Sequence, residues 1–316
     1  MLIYNKSELS EKAKELNFNR DTLEKVLRLV DILEFLNTNP LTKNTLALKG
    51  GTAINLTVFN LPRLSVDIDL DYAKNVTKEE MLVEREKISS DIKKYMTTQR
   101  YSLSEKSRFY HSLDSFVFVY KNLGGVNDNI KIEINYSLRS HIFELQDRSI
   151  VTSAVESKFK VLSVAPYELF AGKINALLSR SAVRDLYDIY NLSKYGLFDR
   201  SEYDIIRKAV VFYTSISQEI IPESYDFRKI DNINFQKIKT DLLPVIQKGE
   251  RIELDDMKRE VAQFLSDLLI LESNEKEFLR VFSQQEYRPD LLFDDKAILA
   301  RLMNHPMVLW KMQSKL

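Results

Sequence analysis

The sequence predicts a mixed α/β first half followed by a mainly helical second half. Three features carry that expectation. A glycine pair sits between a short apolar run and a helical stretch in LALKGGTAINLTVF. Apolar and polar residues alternate in VDIDLDY, DSFVFVYKN and NIKIEINYS. From Pro166 onward, apolar residues recur every three or four positions. A boundary near residue 165 separates residues 1–165 from residues 166–316.

The elements follow in order. In RDTLEKVLRLVDILEFLNTNP, Leu23, Val26, Leu27, Val30 and Leu33 form one stripe of an amphipathic helix, closed by Pro40. Leu46 to Leu48, the pair Gly50 and Gly51, and then TAINLTVF read as strand, tight turn and helix. Val66, Ile68 and Leu70 alternate with Asp67, Asp69 and Asp71, the period of a strand with one buried face. KEEMLVEREKISSDIKKYM is a charged amphipathic helix. DSFVFVYKN and NIKIEINYS are strands, and Gly124, Gly125, Asn127 and Asp128 between them suit a hairpin loop. Pro166 fits a first helical turn, opening PYELFAGKINALLSR. The next helix, AVRDLYDIYNLSKYG, stops at Gly196.

Composition narrows the function classes. A chain of 316 residues with 44% hydrophobic and 29% charged residues can bury a proper core and is long enough for two domains. Its 46 Lys and Arg balance 46 Asp and Glu, which argues against a wholesale polyanion binder and leaves room for a local basic face. The absence of Cys removes disulfides, thiolate zinc sites and cysteine nucleophiles, and suits a reducing cytoplasm. MLIYNKSELSEKAKEL carries charges where a signal peptide needs an apolar core, and no apolar run reaches the roughly 18 residues of a membrane span. The three histidines, His111, His141 and His305, are far apart in sequence, so carboxylates are the expected metal ligands.

Asp67 and Asp69 lie two apart on a strand and project from the same face. Mg²⁺, or Mn²⁺ with similar oxygen ligands, is usually held by one or two carboxylates together with substrate phosphates. Taken alone, the pair reads more simply as the acidic outer face of a half-buried strand, and Asp71 as no more than that. Context adds a phosphate cradle: Gly50 and Gly51 leave no side chain in the way, while backbone amides and the Thr52 hydroxyl offer donors. No GK[ST] follows, so this is not a Walker loop, and the glycines alone describe an ordinary strand-to-helix turn. Glu133 shares a strand face with Lys131 and Asn135. If its strand lies beside Asp67, it completes a three-carboxylate cup for two metal ions. Lys173 and Arg180 are close to two helical turns apart and suit neutralisation of a triphosphate. Arg184 and Asp188 read as a surface pair, and Asp185 as a base or, preferably, a salt-bridge anchor.

The segments KGGT, RLSVDIDLDY and LFAGKINALLSRSAVRDLYDIY together resemble the AbiEii/AbiGii toxin family of bacterial nucleotidyltransferases. The resemblance rests on Gly50, Gly51 and Thr52; on Arg63, Ser65, Asp67 and Asp69; and on Lys173, Arg184, Asp185 and Asp188. These motifs span residues 49–191, and HPMVLW near the C-terminus is similar to the family's closing segment. The interval from Thr52 to Asp67, containing Pro62 and Arg63, is longer than in the shortest polymerase-β-type motifs. The resemblance implies a polymerase-β-like nucleotidyltransferase core with a helical second domain that completes the nucleotide and acceptor cleft. It also implies a toxin of a toxin-antitoxin or abortive-infection system with a cognate antitoxin, and an RNA acceptor such as the tRNA 3′ end, whose modification blocks translation. In that scheme Asp67, Asp69 and Glu133 hold the metal ions, and Gly50, Gly51 and Thr52 bind the phosphates of an NTP. Lys173 offsets phosphate charge, and Arg63 and Ser65 brace the loop. Neither a membrane nor DNA is an expected partner. Two other readings share these residues: transfer to a protein acceptor, and a non-catalytic module that binds RNA or a partner.

Overall fold

The computed structural model describes residues 5–155, 157–222 and 224–313; the first four residues of the charged N-terminal stretch lie outside them. The chain packs into two compact units. Met1–Ser140, Leu145–Val164 and Pro244–Gly249 form the first, and His141–Glu144, Ala165–Leu243 and Glu250–Leu316 form the second.

The first unit opens with α1 (Lys6–Glu15) and α2 (Arg20–Thr38). The Asn5 side chain accepts from the Ser7 and Glu8 amides and Asn19 from those of Asp21 and Thr22, satisfying donors the first turn leaves unpaired. The stripe Leu23, Val26, Leu27, Val30 and Leu33 is buried. Strand β1 (Leu46–Lys49) runs straight into α3 (Gly50–Ala53), which continues as a π-helical turn over Ile54–Val58. After β2 (Asp67–Tyr72), a capping box between Thr77 and Glu80 starts α4 (Lys78–Thr98). Strands β3 (Ser102–Leu103), β4 (Arg108–Tyr110), β5 (Leu113–Lys121), β6 (Asn127–Asn135), β7 (Gln146–Ser149) and β8 (Lys160–Ser163) complete the unit.

These strands form one mixed sheet in the order β3-β5-β6-β2-β1-β8-β7, with β4 also paired to β5. The β2–β6 and β1–β8 pairs are parallel and the others antiparallel. Ile68, Leu70, Phe116, Phe118, Ile130, Ile132 and Ile134 are all buried. Each contributes roughly 1.5–3 kcal/mol by leaving water. Arg85 ties α4 to the sheet: its guanidinium pairs with Asp114 Oδ1 at 2.6 Å, and Ser89 donates to Asp114 Oδ2 at 3.0 Å. Because strand side chains alternate, the opposite face carries Asp67, Asp69, Lys131 and Glu133, all partly exposed.

The second unit is helical. It contains α5 (Pro166–Arg180), α6 (Val183–Tyr195), α7 (Tyr203–Ser217) and a short α8 (Phe235–Lys237) that runs into a π-helical turn at Ile238–Leu242. Helices α9 (Leu254–Leu268), α10 (Ser273–Ser283), α11 (Lys296–Met303) and α12 (Pro306–Gln313) follow. The mixed α/β and helical halves read from the sequence are both present. Among the described residues, no helix is long and apolar enough to cross a membrane.

Candidate active site

The junction of β1 and α3 explains the glycine pair. Gly50 has a φ of +67°, and a Cβ built there would lie 2.5 Å from Asp69 Oδ2. Conformation and space therefore both demand glycine. At Gly51 a Cβ would lie 2.6 Å from Arg63 Nη2 and 3.1 Å from Ser65 Oγ. Asp69 thus packs against one glycine, while Arg63 and Ser65 pack against the other. Lys49, the residue before the helix, makes no side-chain cap, and first-turn amides in that position favour an anion.

The sheet register gathers the acids. On the parallel pair β2–β6, Asp69 is the direct partner of Glu133, and Asp67 that of Lys131. On the other side of β2, Asp69 is opposite Lys49. Register partners share a face and adjacent strands lie about 4.8 Å apart. Two lysines occupy this acidic face: Lys131 Nζ is 2.9 Å from Glu133 Oε1, and Lys49 Nζ is 2.5 Å from Asp71 Oδ1. Asp71 departs from the sequence reading. It lies on the same face but is only 2% exposed, its carboxylate held by the Lys49 ammonium, rather than an acid open to solvent.

Among the described residues, no three His, Asp or Glu side chains are gathered closely enough to hold a metal ion as they stand. The donor set nevertheless fits a hard divalent cation. Carboxylate oxygens share one partly exposed face, an ammonium already sits on one of them, and Gly50 has no Cβ to push the Asp69 carboxylate aside. Mg²⁺ commonly takes only one or two protein carboxylates and completes its shell with water and substrate phosphate.

Thr52 lies beneath this face. It is fully buried, its hydroxyl donates to the Asp67 carbonyl, and it is 2.9 Å from Ser65 Oγ. Its side chain therefore fixes the start of β2 to the start of α3. Ser65 and Arg63 belong to the same brace, and Arg63 Nη1 also donates to the Leu64 carbonyl.

In the second unit, Lys173 of α5 is buried, with Nζ 2.6 Å from Asp185 Oδ1 and 3.0 Å from Asp188 Oδ2 of α6. Arg180 reaches Asp185 Oδ2 at 2.8 Å and stays largely in solvent. Arg184 donates to the Asp241 carbonyl at 2.7 Å. Lys173, Asp185 and Asp188 thus form a buried ionic clamp between two helices, with Arg180 closing it from the solvent side. This corrects the surface-pair reading of Arg184 and Asp188, because Asp188 is 1% exposed and turned towards Lys173.

Sequence reasoning missed the parts of Lys49 and Lys131, although strand alternation was a signal that both share a face with the acids. It also missed a buried carboxylate, Glu168. Its Oε1 lies 2.9 Å from His141 Nδ1 and accepts from the Tyr213 hydroxyl, and its Oε2 accepts from the Phe143 amide at 3.1 Å.

Asp69 and Glu133 on adjacent strands, with the Asp69 carboxylate against the strand–glycine–helix junction of a mixed sheet, form the candidate site, and the class of enzyme is given by the family to which the sequence matches. The family model described as nucleotidyl transferase AbiEii toxin, type IV TA system, matches residues 33–285, and the chain belongs to that family. It is a nucleotidyltransferase toxin of a type IV toxin-antitoxin system. Among solved structures it is similar in fold to MenT4, a nucleotidyltransferase toxin from Mycobacterium tuberculosis H37Rv. That match has a TM-score of 0.66 and 13% identity, covering 97% of this chain and 99% of that one. A second match, to an E. coli MS115-1 CdnC:HORMA-deltaN complex, has 12% identity and a TM-score of only 0.26, with 94% and 96% covered. No curated protein matches the sequence.

Proposed function

We propose that the protein transfers a nucleoside monophosphate from an NTP to the 3′ end of an RNA, with tRNA as the acceptor, in a Mg²⁺-dependent reaction that blocks translation. One observation carries this reading: Asp69 and Glu133 are direct partners on neighbouring strands, and the Asp69 carboxylate lies against Gly50.

Asp67, Asp69 and Glu133 would hold the metal, with Lys131 released from Glu133 as it binds. A divalent cation in that position supplies charge stabilisation for the entering and leaving oxygens of an in-line displacement. In that displacement the acceptor hydroxyl oxygen bonds to the α-phosphorus as its proton passes to solvent, the bond to the α–β bridging oxygen breaks, and that oxygen leaves with pyrophosphate. The amides around Gly50 and Gly51 receive triphosphate oxygens, where a side chain would block approach. Thr52, Ser65 and Arg63 keep that turn and β2 in register from below. Lys173 already spends its charge on Asp185 and Asp188, so we assign these three a structural part. Arg180, largely in solvent, stays available to an anion.

The test is direct. The full chain, Mg²⁺ and each α-labelled NTP are incubated in turn with tRNA and with lysate protein, and the products are resolved on gels. Label on tRNA with one preferred NTP is expected. Label confined to protein would replace the acceptor, and no label from any NTP would reject the transferase reading. Induced expression that halts growth, relieved by the neighbouring antitoxin, tests the toxin arm separately.

A further inference from the structure

The same sheet face continues past the acids to an exposed aromatic and basic edge. Register partners connect Asp69 to Glu133, Glu133 to Ser115, and Ser115 to Arg108, so one row crosses β2, β6, β5 and β4. The neighbouring row runs from Asp71 through Asn135 and Leu113 to Tyr110. Partners in register share a face, so Arg108 and Tyr110 stand on the side of the sheet that carries the catalytic acids. Phe109, between them, faces the other way and packs edge-on against Phe116, with Lys93 Nζ 5.0 Å from its ring centroid.

This edge is built rather than loose. Arg85 donates to the Tyr110 and His111 carbonyls at 2.6 Å each while pairing with Asp114, and so pins the β4–β5 turn. Arg108 Nη1 closes the preceding turn on the Glu105 and Ser107 carbonyls. Tyr110 is left 58% exposed. Residues 100–111 contain Arg100, Lys106 and Arg108 against the single acid Glu105, a local positive charge on a chain of zero net charge.

We infer that the row from Glu133 to Arg108 and Tyr110 is the track for a single-stranded RNA acceptor, with Tyr110 stacking a base and Arg108 meeting the backbone a few nucleotides from the reacting 3′ end. A positive groove with an aromatic platform is the chemistry that holds single strands without reading their sequence. The geometry suits the length. Two strand spacings separate Glu133 from Arg108, about 10 Å, or roughly three nucleotides at the ~3.4 Å rise of a stacked strand. The inference rests on the acceptor being RNA, as proposed above, and adds where it lies.

The experiment measures binding, so that it does not depend on catalysis. Fluorescence anisotropy follows a 5′-labelled oligoribonucleotide with a free 3′ end bound to the full chain without NTP, across a range of salt. Tyr110→Ala is expected to weaken binding by roughly 5- to 100-fold. Tyr110→Phe should restore it, because the ring and not the hydroxyl stacks. Arg108→Ala should lower the slope of log affinity against log salt by about 0.7. Melting curves of the exposed Tyr110 variants should match wild type, and Arg108→Ala should remain fully folded at the assay temperature although it loses its two bonds to the preceding turn. Wild-type affinity and slope in both Ala variants would overturn the track, as would a wild-type chain that binds no RNA. Failure of nucleotidyl transfer with RNA binding and its Tyr110 dependence intact would strike the catalytic reading alone.

Discussion

Gly50 lies so close under the Asp69 carboxylate that a Cβ there would approach Oδ2 to 2.5 Å. The glycine turn and the acidic strand are therefore one object, and a change in either displaces the other.

Gly50→Ala tests that dependence. A left-handed φ costs a non-glycine residue about 1–2 kcal/mol, and the methyl also pushes the Asp69 carboxylate from its place. Stability in urea should fall by about that amount. Transfer should fall further, by roughly 10²-fold, the usual cost of a misplacement near 1 Å. Stability and activity falling only in proportion would show that Asp69 had not moved in a way that matters.

Lys173→Met should act on stability. It leaves Asp185 and Asp188 facing each other, both 1% exposed, without their shared ammonium. Removing one partner of a buried ionic cluster costs about 3–5 kcal/mol. Adding Asp188→Asn should return part of that loss, because it removes one of the two buried carboxylate charges that Lys173 no longer offsets. A fully stable Lys173→Met protein with weakened NTP affinity would move Lys173 back to the phosphate-binding role.

Acid should weaken the helical unit through Glu168. Burial alone would push its carboxyl up, but the facing His141 and the hydrogen bonds from Tyr213 and Phe143 outweigh it, and the folded pKa lies below the usual 4.5. The folded state then binds fewer protons than the unfolded one, so the stabilisation is fully present above about pH 4.5 and lost as pH falls through the folded value. Denaturation curves from pH 7 to pH 3 should show a decline that Glu168→Gln flattens. An identical slope in that variant would assign the acid sensitivity to other carboxylates.

Much of this was legible in the sequence, and the omissions have physical reasons. The two-residue period of β2 and β6 and the three-to-four spacing of α2, α4 and α5 follow from one-sided burial, which local sequence records. Alternation also put Asp67 and Asp69 on one face, but pairing partners are non-local, so only the fold could bring Glu133 opposite Asp69. Strands β3, β4 and β7 are two to four residues long and mostly exposed, so they leave no apolar period to read. The donation from Thr52 to the Asp67 carbonyl and the clamp of Lys173 on Asp188 were hidden for another reason. A polar residue looks the same in sequence whether it meets a ligand or a buried partner.

The most direct measurement is transfer of label from each α-labelled NTP to purified tRNA by wild type and by Asp69→Asn, with Mg²⁺ and with EDTA. Asp69→Asn keeps the size of the side chain that packs on Gly50, so urea denaturation run beside the assay should show a folded protein at the assay temperature. The account predicts labelled tRNA from the wild type in Mg²⁺ only, and none from an equally folded Asp69→Asn protein. Equal labelling by the two proteins would contradict it.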